Sequence, residues 1–136
     1  MQVKLTQMRF QLALALLVAC CLGACASVDA VTTEYVGVPK FPPSDAKKID
    51  IMRSEPAQRI VRLGEIVVDA SVDPPPAAAD IEDKLRWEAA RLGADAVVVV
   101  VDQVQQVGAY VSGPYWAPTV QPLAGRKVVG IAVKYQ

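Results

Sequence analysis

The apolar positions of this chain change period repeatedly, and each change marks an element. Between Ile60 and Val72 they alternate: Ile66, Val68, Ala70 and Val72 fall on one side, Glu65, Val67, Asp69 and Ser71 on the other. A period of two predicts a half-buried strand. Gly64 inside it predicts a bulge or bend. The proline run Pro74-Pro75-Pro76 after Asp73 ends the strand. Ala78, Ile81, Leu85, Ala89 and Leu92 then recur at helical spacing and predict a helix over 77–92. Gly93 stands at the C′ position, where a left-handed backbone is easiest without a Cβ. Asp80/Lys84, Glu82/Arg86 and Lys84/Glu88 are i,i+4 pairs and read as the wet face of this helix.

Val97 to Val101 is an unbroken β-branched run, the pattern of a central strand covered on both faces. The strand–helix–strand unit from Asp69 to Val97 predicts two parallel strands joined by a right-handed crossover. Lys127 to Tyr135 alternates again, with Val129, Ile131, Val133 and Tyr135 on one face and Val128, Gly130, Ala132 and Lys134 on the other. Gly130 and Ala132 are small enough to admit a close neighbour. Ile49 to Arg53 is a short alternating strand, and Gly108 to Gly125 is a connection too long for a simple hairpin. The expected fold is α+β. It has a small mixed sheet of four to five strands and one packed helix, in the order β-β-α-β-β, over residues 49–136.

The start of the chain follows a different pattern. Lys4 and Arg9 precede an apolar stretch, Phe10 to Ala19, that is too short to span a bilayer, which takes about 20 apolar residues. Its proportions are those of a secretory signal peptide, with Met1 or Met8 as the start. Leu22-Gly23-Ala24-Cys25 closes it and reads as a bacterial lipobox, which assigns residues 1–24 to a cleaved leader and lipidation to Cys25. Leu17-Val18-Ala19 before Cys20 is a second such reading. Cleavage before Ser27 by the ordinary small-x-small rule is a third. Cys25 is preferred because it adjoins the first polar residues, Ser27 and Asp29. Multiple acyl chains, at about 0.8 kcal/mol per buried methylene, give stable anchoring. Ala26 follows the cysteine, where an aspartate would resemble an inner-membrane retention signal, and that resemblance implies the outer membrane and its periplasmic side. Residues 25–48, with Pro39, Pro42 and Pro43, read as an extended tether. Tyr35 and Phe41 within it either stay free or dock on the domain or a partner.

Charge and composition narrow the chemistry. The chain carries 14 basic and 14 acidic residues. Removing Lys4 and Arg9 with the leader leaves 12 basic against 14 acidic, a net charge of −2. That balance gives no basis for nucleic-acid binding. All three cysteines, Cys20, Cys21 and Cys25, lie at the start, and histidine is absent. The domain therefore has no thiol or imidazole for nucleophilic catalysis or a structural zinc site, and no disulfide. No cofactor and no metal are expected, and no residue is nominated as catalytic.

Leu92-Gly93-Ala94-Asp95-Ala96-Val97, a helix end running into a valine-rich strand, resembles the YbjQ-type domain, and Gly130-Ile131-Ala132-Val133 is similar too. The same small α+β domain occurs in the outer-membrane sensor lipoprotein of the Rcs envelope-stress pathway. The resemblance spans residues 60–135 and implies the fold and an envelope setting. The disulfides of the Rcs sensor have no counterpart here.

The candidate interaction residues are Tyr110, Tyr115 and Trp116 in the connection after the valine run, with Trp87 on the helix. Aromatics on a rigid loop make binding anchors. The competing reading folds them back over the sheet. Trp87 lies opposite the apolar stripe and is expected at the surface. Arg126, Lys127 and Lys134 are a candidate basic spot, and Asp69, Asp73, Asp95 and Asp102 a candidate cluster of strand-end acids. The expectation is an outer-membrane lipoprotein with a non-catalytic interaction or envelope-sensing domain. It would meet the membrane through its anchor, and an envelope protein or peptidoglycan through its surface. The alternative is a periplasmic lipoprotein that binds a small ligand or ion.

Overall fold

The computed structural model describes residues 26–136. The leader and Cys25 lie outside the described residues. A five-stranded mixed sheet carries one α-helix on one face. In chain order the elements are β1 (Val28–Glu34), a 3-10 turn (Ala46–Lys48), β2 (Asp50–Met52), β3 (Ile60–Ser71), α1 (Ala78–Arg91), β4 (Ala96–Ser112) and β5 (Thr119–Tyr135). The sheet order is β1-β3-β5-β4-β2, antiparallel throughout except for the β2–β4 edge pair. The α+β class with one packed helix is as expected. An additional strand at the start makes the order β-β-β-α-β-β. Among the described residues, no helix is long and apolar enough to cross a membrane.

That additional strand corrects the tether reading. Val28 to Glu34 pairs along β3 from Val28–Ala70 to Glu34–Gly64. Further along the segment, Val38 and Phe41 pack against the core. Gly93 adopts φ +75°, and a Cβ there would come within 2.6 Å of both the Phe41 Cβ and the Pro42 carbonyl oxygen. The glycine of the Leu-Gly-Ala-Asp run thus serves the helix end and the close passage of the incoming chain at once.

The core lies between α1 and the helix-side face of the sheet. Ile81, Leu85 and Ala89 meet Ile66, Val68, Val97, Val128 and Ala132, all buried. Gly130 makes this approach possible, because a Cβ on it would stand 2.5 Å from Val97 Cγ1 and 3.2 Å from Leu85 Cδ2. Gly64 sits at the register shift between Arg62 and Gly64, where its bare Cα admits the Thr33 carbonyl.

Two topological expectations change. β3 and β4 do run parallel around α1, but β5 is inserted between them, so the last strand of the chain is the central strand of the sheet. The valine run is covered only in its first half. Val97 and Val98 are buried, whereas Val100 is exposed at a bulge between Val99 and Val101.

Candidate functional site

The connection expected after the valine run is instead a long antiparallel ribbon. β4 and β5 stay paired from Ala96–Val133 out to Ser112–Thr119. β3 accompanies them only as far as Ser71–Gly125. Beyond that point β4 and β5 pair with each other alone, a second bulge at Val107 marking the departure. Most of the exposed large apolar side chains among the described residues lie on these two strands and their turn. Val111 and Val120 face each other on one side of the ribbon, and Tyr110 and Leu123 lie on the other.

The tip is a tight turn. Gly113 enters it at φ +97°, where a Cβ would sit 2.9 Å from the Ala117 carbonyl oxygen. The Ala117 amide donates to the Pro114 carbonyl at 2.9 Å. This closes a four-residue turn with Tyr115 and Trp116 as its two central residues. The geometry directs both side chains outward: Tyr115 is 98% exposed and Trp116 85%. They do not fold back over the sheet.

Charge stops at the base of this ribbon. Asp102 on β4 accepts two hydrogen bonds from Arg126 on β5, from Nε at 2.8 Å and from Nη2 at 2.9 Å, and a third from Arg53 at 3.4 Å. Hydrogen bonding from Arg126 holds the Asp102 carboxyl below the usual carboxylate range and raises the guanidinium pKa in turn. From Gln103 to Gly125 there is no Asp, Glu, Lys or Arg.

The other candidates are dispersed. Trp87 stays on the helix, half-exposed at 54%, with Lys84 Nζ 5.5 Å and the Arg91 guanidinium 5.3 Å from its ring centroid. The structure does not bring it to the tip. Lys134 Nζ donates to Asp95 Oδ1 at 2.7 Å at the far end of β5 from Arg126, so no basic spot forms. Burial works against the charge on Asp95, but the Lys134 hydrogen bond, the Tyr135 amide and the Lys134 charge outweigh it and lower its pKa. Asp95 therefore ties the helix end to β5. Asp69 lies in register with Lys127. Among the described residues, no three potential metal ligands converge.

Glu88 is the polar group that the helical pattern misassigns. It is 5% exposed, accepts from Thr32 Oγ1 on β1 at 3.0 Å and from Arg91 Nη1 at 3.0 Å, and lies 3.8 Å from Lys84 Nζ. β1 covers the flank of the helix that the sequence leaves wet. Its signal in the sequence is slight, an alternation of Val28, Ala30 and Thr32 next to the leader.

No family model matches the chain, and no curated protein matches it. Among solved structures, it is similar to the crystal structure of a Francisella virulence factor, FvfA. Identity is 12% and the TM-score 0.48, over 78% of this chain and 97% of that one.

Proposed function

We propose that this chain is a lipid-anchored protein of the outer membrane, held at Cys25, with a non-catalytic periplasmic domain whose working surface is the ribbon tip. The observation that carries the reading is the bare pair Tyr115 and Trp116 at the end of a charge-free ribbon. An isolated two-stranded ribbon is marginally stable in water and gains stability when something covers it. Rigid aromatics bury large area at low entropy cost, the usual property of contact anchors. The acids and cations of the domain support a non-catalytic reading, since Asp95 and Asp102 are engaged in ion pairs to β5 and Glu88 is engaged with Thr32 of β1 and Arg91 of its own helix. Tyr110 extends the same surface along the ribbon.

Site-specific photo-crosslinking in living cells tests this. A photoreactive residue placed at Trp116 of the full chain is expected to form an adduct with an envelope component, lipid or protein. The same residue at Asp83, on the exposed side of the helix, is the control and should form none. Equal labelling at the two positions, or none at Trp116, would contradict the reading.

A further inference from the structure

The ribbon and the start of the described chain leave the sheet at the same edge. β1 begins at Val28 opposite Ala70, and Ala70 is in turn opposite Arg126. Just outside, the Ser71 amide donates to the Ser27 carbonyl at 3.0 Å and the Ser27 amide to Ser71 Oγ at 3.1 Å. Ser71 faces Gly125, the point where the ribbon becomes free. Ser27, Val107 and Gly125 border one shallow depression. Cys25 is therefore tied by sequence to the edge that carries the ribbon.

The lengths matter. From Gly125 to Thr119 the ribbon extends about 20 Å past that edge, at about 3.4 Å per residue. Cys25 precedes Ser27 by two residues, which reach at most about 7 Å when extended. The ribbon therefore has a longer reach than the anchor. An acyl group on Cys25 draws this edge to the bilayer and brings the ribbon with it.

The ribbon has the composition such a position requires. A charged side chain is expensive inside a bilayer, and the last charges, Asp102 and Arg126, are bonded to each other at its base. Trp and Tyr favour the headgroup level, where an apolar ring and a polar edge are both accommodated. The two outer edges of a two-stranded ribbon retain unpaired backbone groups, which hydrocarbon does not tolerate, so the contact is confined to the interface.

We propose that the ribbon tip is a second membrane contact, with Tyr115 and Trp116 seated in the interfacial layer of the bilayer that holds Cys25. The identity of that bilayer rests on the lipid-anchor reading. Acyl anchor and aromatic tip together form a two-point attachment, which fixes the domain's orientation and holds its helix-covered end away from the lipid. An interfacial element of this kind sits about 5–10 Å into the headgroup and acyl boundary.

The test uses the full-length protein carrying Trp87→Phe, which leaves Trp116 as its sole tryptophan. The protein is purified from membranes and reconstituted in phosphatidylethanolamine–phosphatidylglycerol vesicles brominated either near the headgroup or near the chain end. Trp116 emission is expected to shift to the blue and to be quenched more strongly by the shallow bromines than by the deep ones. The converse variant, Trp116→Phe, leaves Trp87 as reporter and should be unaffected by either lipid. Water-like emission quenched by aqueous iodide would overturn the proposal. Emission shielded from both iodide and bromolipid would overturn it in favour of a protein partner. A mass spectrum of the same sample separates the two readings. Acylated Cys25 with unquenched Trp116 removes the tip contact alone, whereas quenched Trp116 on a chain that lacks acyl groups removes the anchor alone.

Discussion

Single residues show how the chemistry of this domain is used for structure. Glu88 faces Thr32 and Arg91 under β1, so Glu88→Ala takes the acceptor from a part-buried hydroxyl and from the Arg91 guanidinium. The expected loss is about 1–3 kcal/mol in chemical denaturation, against under about 0.5 kcal/mol for Lys84→Ala. Equal effects would mean that Glu88 is solvated. Asp102 makes a pH-dependent contribution. Its pKa is lower in the folded chain than the usual value of about 3.9, so the paired form stabilises fully above that value. The contribution is lost as pH falls through the lowered folded value. Asp102→Asn should therefore flatten the acid limb of stability against pH and lower the neutral plateau. An acid limb identical to wild type would show that the pair carries no linkage. Asp95 is lowered too, so part of the acid limb should survive in that variant.

Elements differ in how legible they are. The helix, β3 and the paired faces of β5 follow from periodicity, because each has one face on the core and repeats the pattern several times. Gly64 and Gly130 are legible for the same reason: a glycine in an otherwise regular strand implies close approach. β1 is not legible, since it is short, half-polar and an edge strand whose pattern depends on β3 for its meaning. Missing β1 leads directly to misplacing Glu88. The ribbon is obscured by its bulges at Val100 and Val107, each of which breaks the alternation, and by Gly108 and Pro122. The insertion of β5 between β3 and β4 is a non-local pairing that no local pattern encodes. The element account predicts that Leu85→Ala costs about 2–5 kcal/mol, because Leu85 fills the space over Gly130. Phe41→Ala should also destabilise, by about 1–3 kcal/mol, since its ring is partly buried against the core. A Phe41→Ala protein as stable as wild type would restore the tether reading for the segment after β1 alone.

At the scale of the whole molecule, folding and contact are separated in space. The core lies under α1, at the β2 end of β4, and most of the large apolar side chains that remain bare lie on β4, β5 and their turn. Composition alone points to the tip aromatics. Their outward direction required the turn from Pro114 to Ala117, and their relation to the start of the chain required the register of β1, β3 and β5. The central claim is that this ribbon tip is spare to the fold and serves contact. It is tested most directly by chemical denaturation of the Tyr115→Ala/Trp116→Ala double variant beside wild type. The account predicts midpoints and slopes that agree to within about 0.5 kcal/mol. A loss of about 3 kcal/mol or more, the scale of removing a core aromatic, would contradict it.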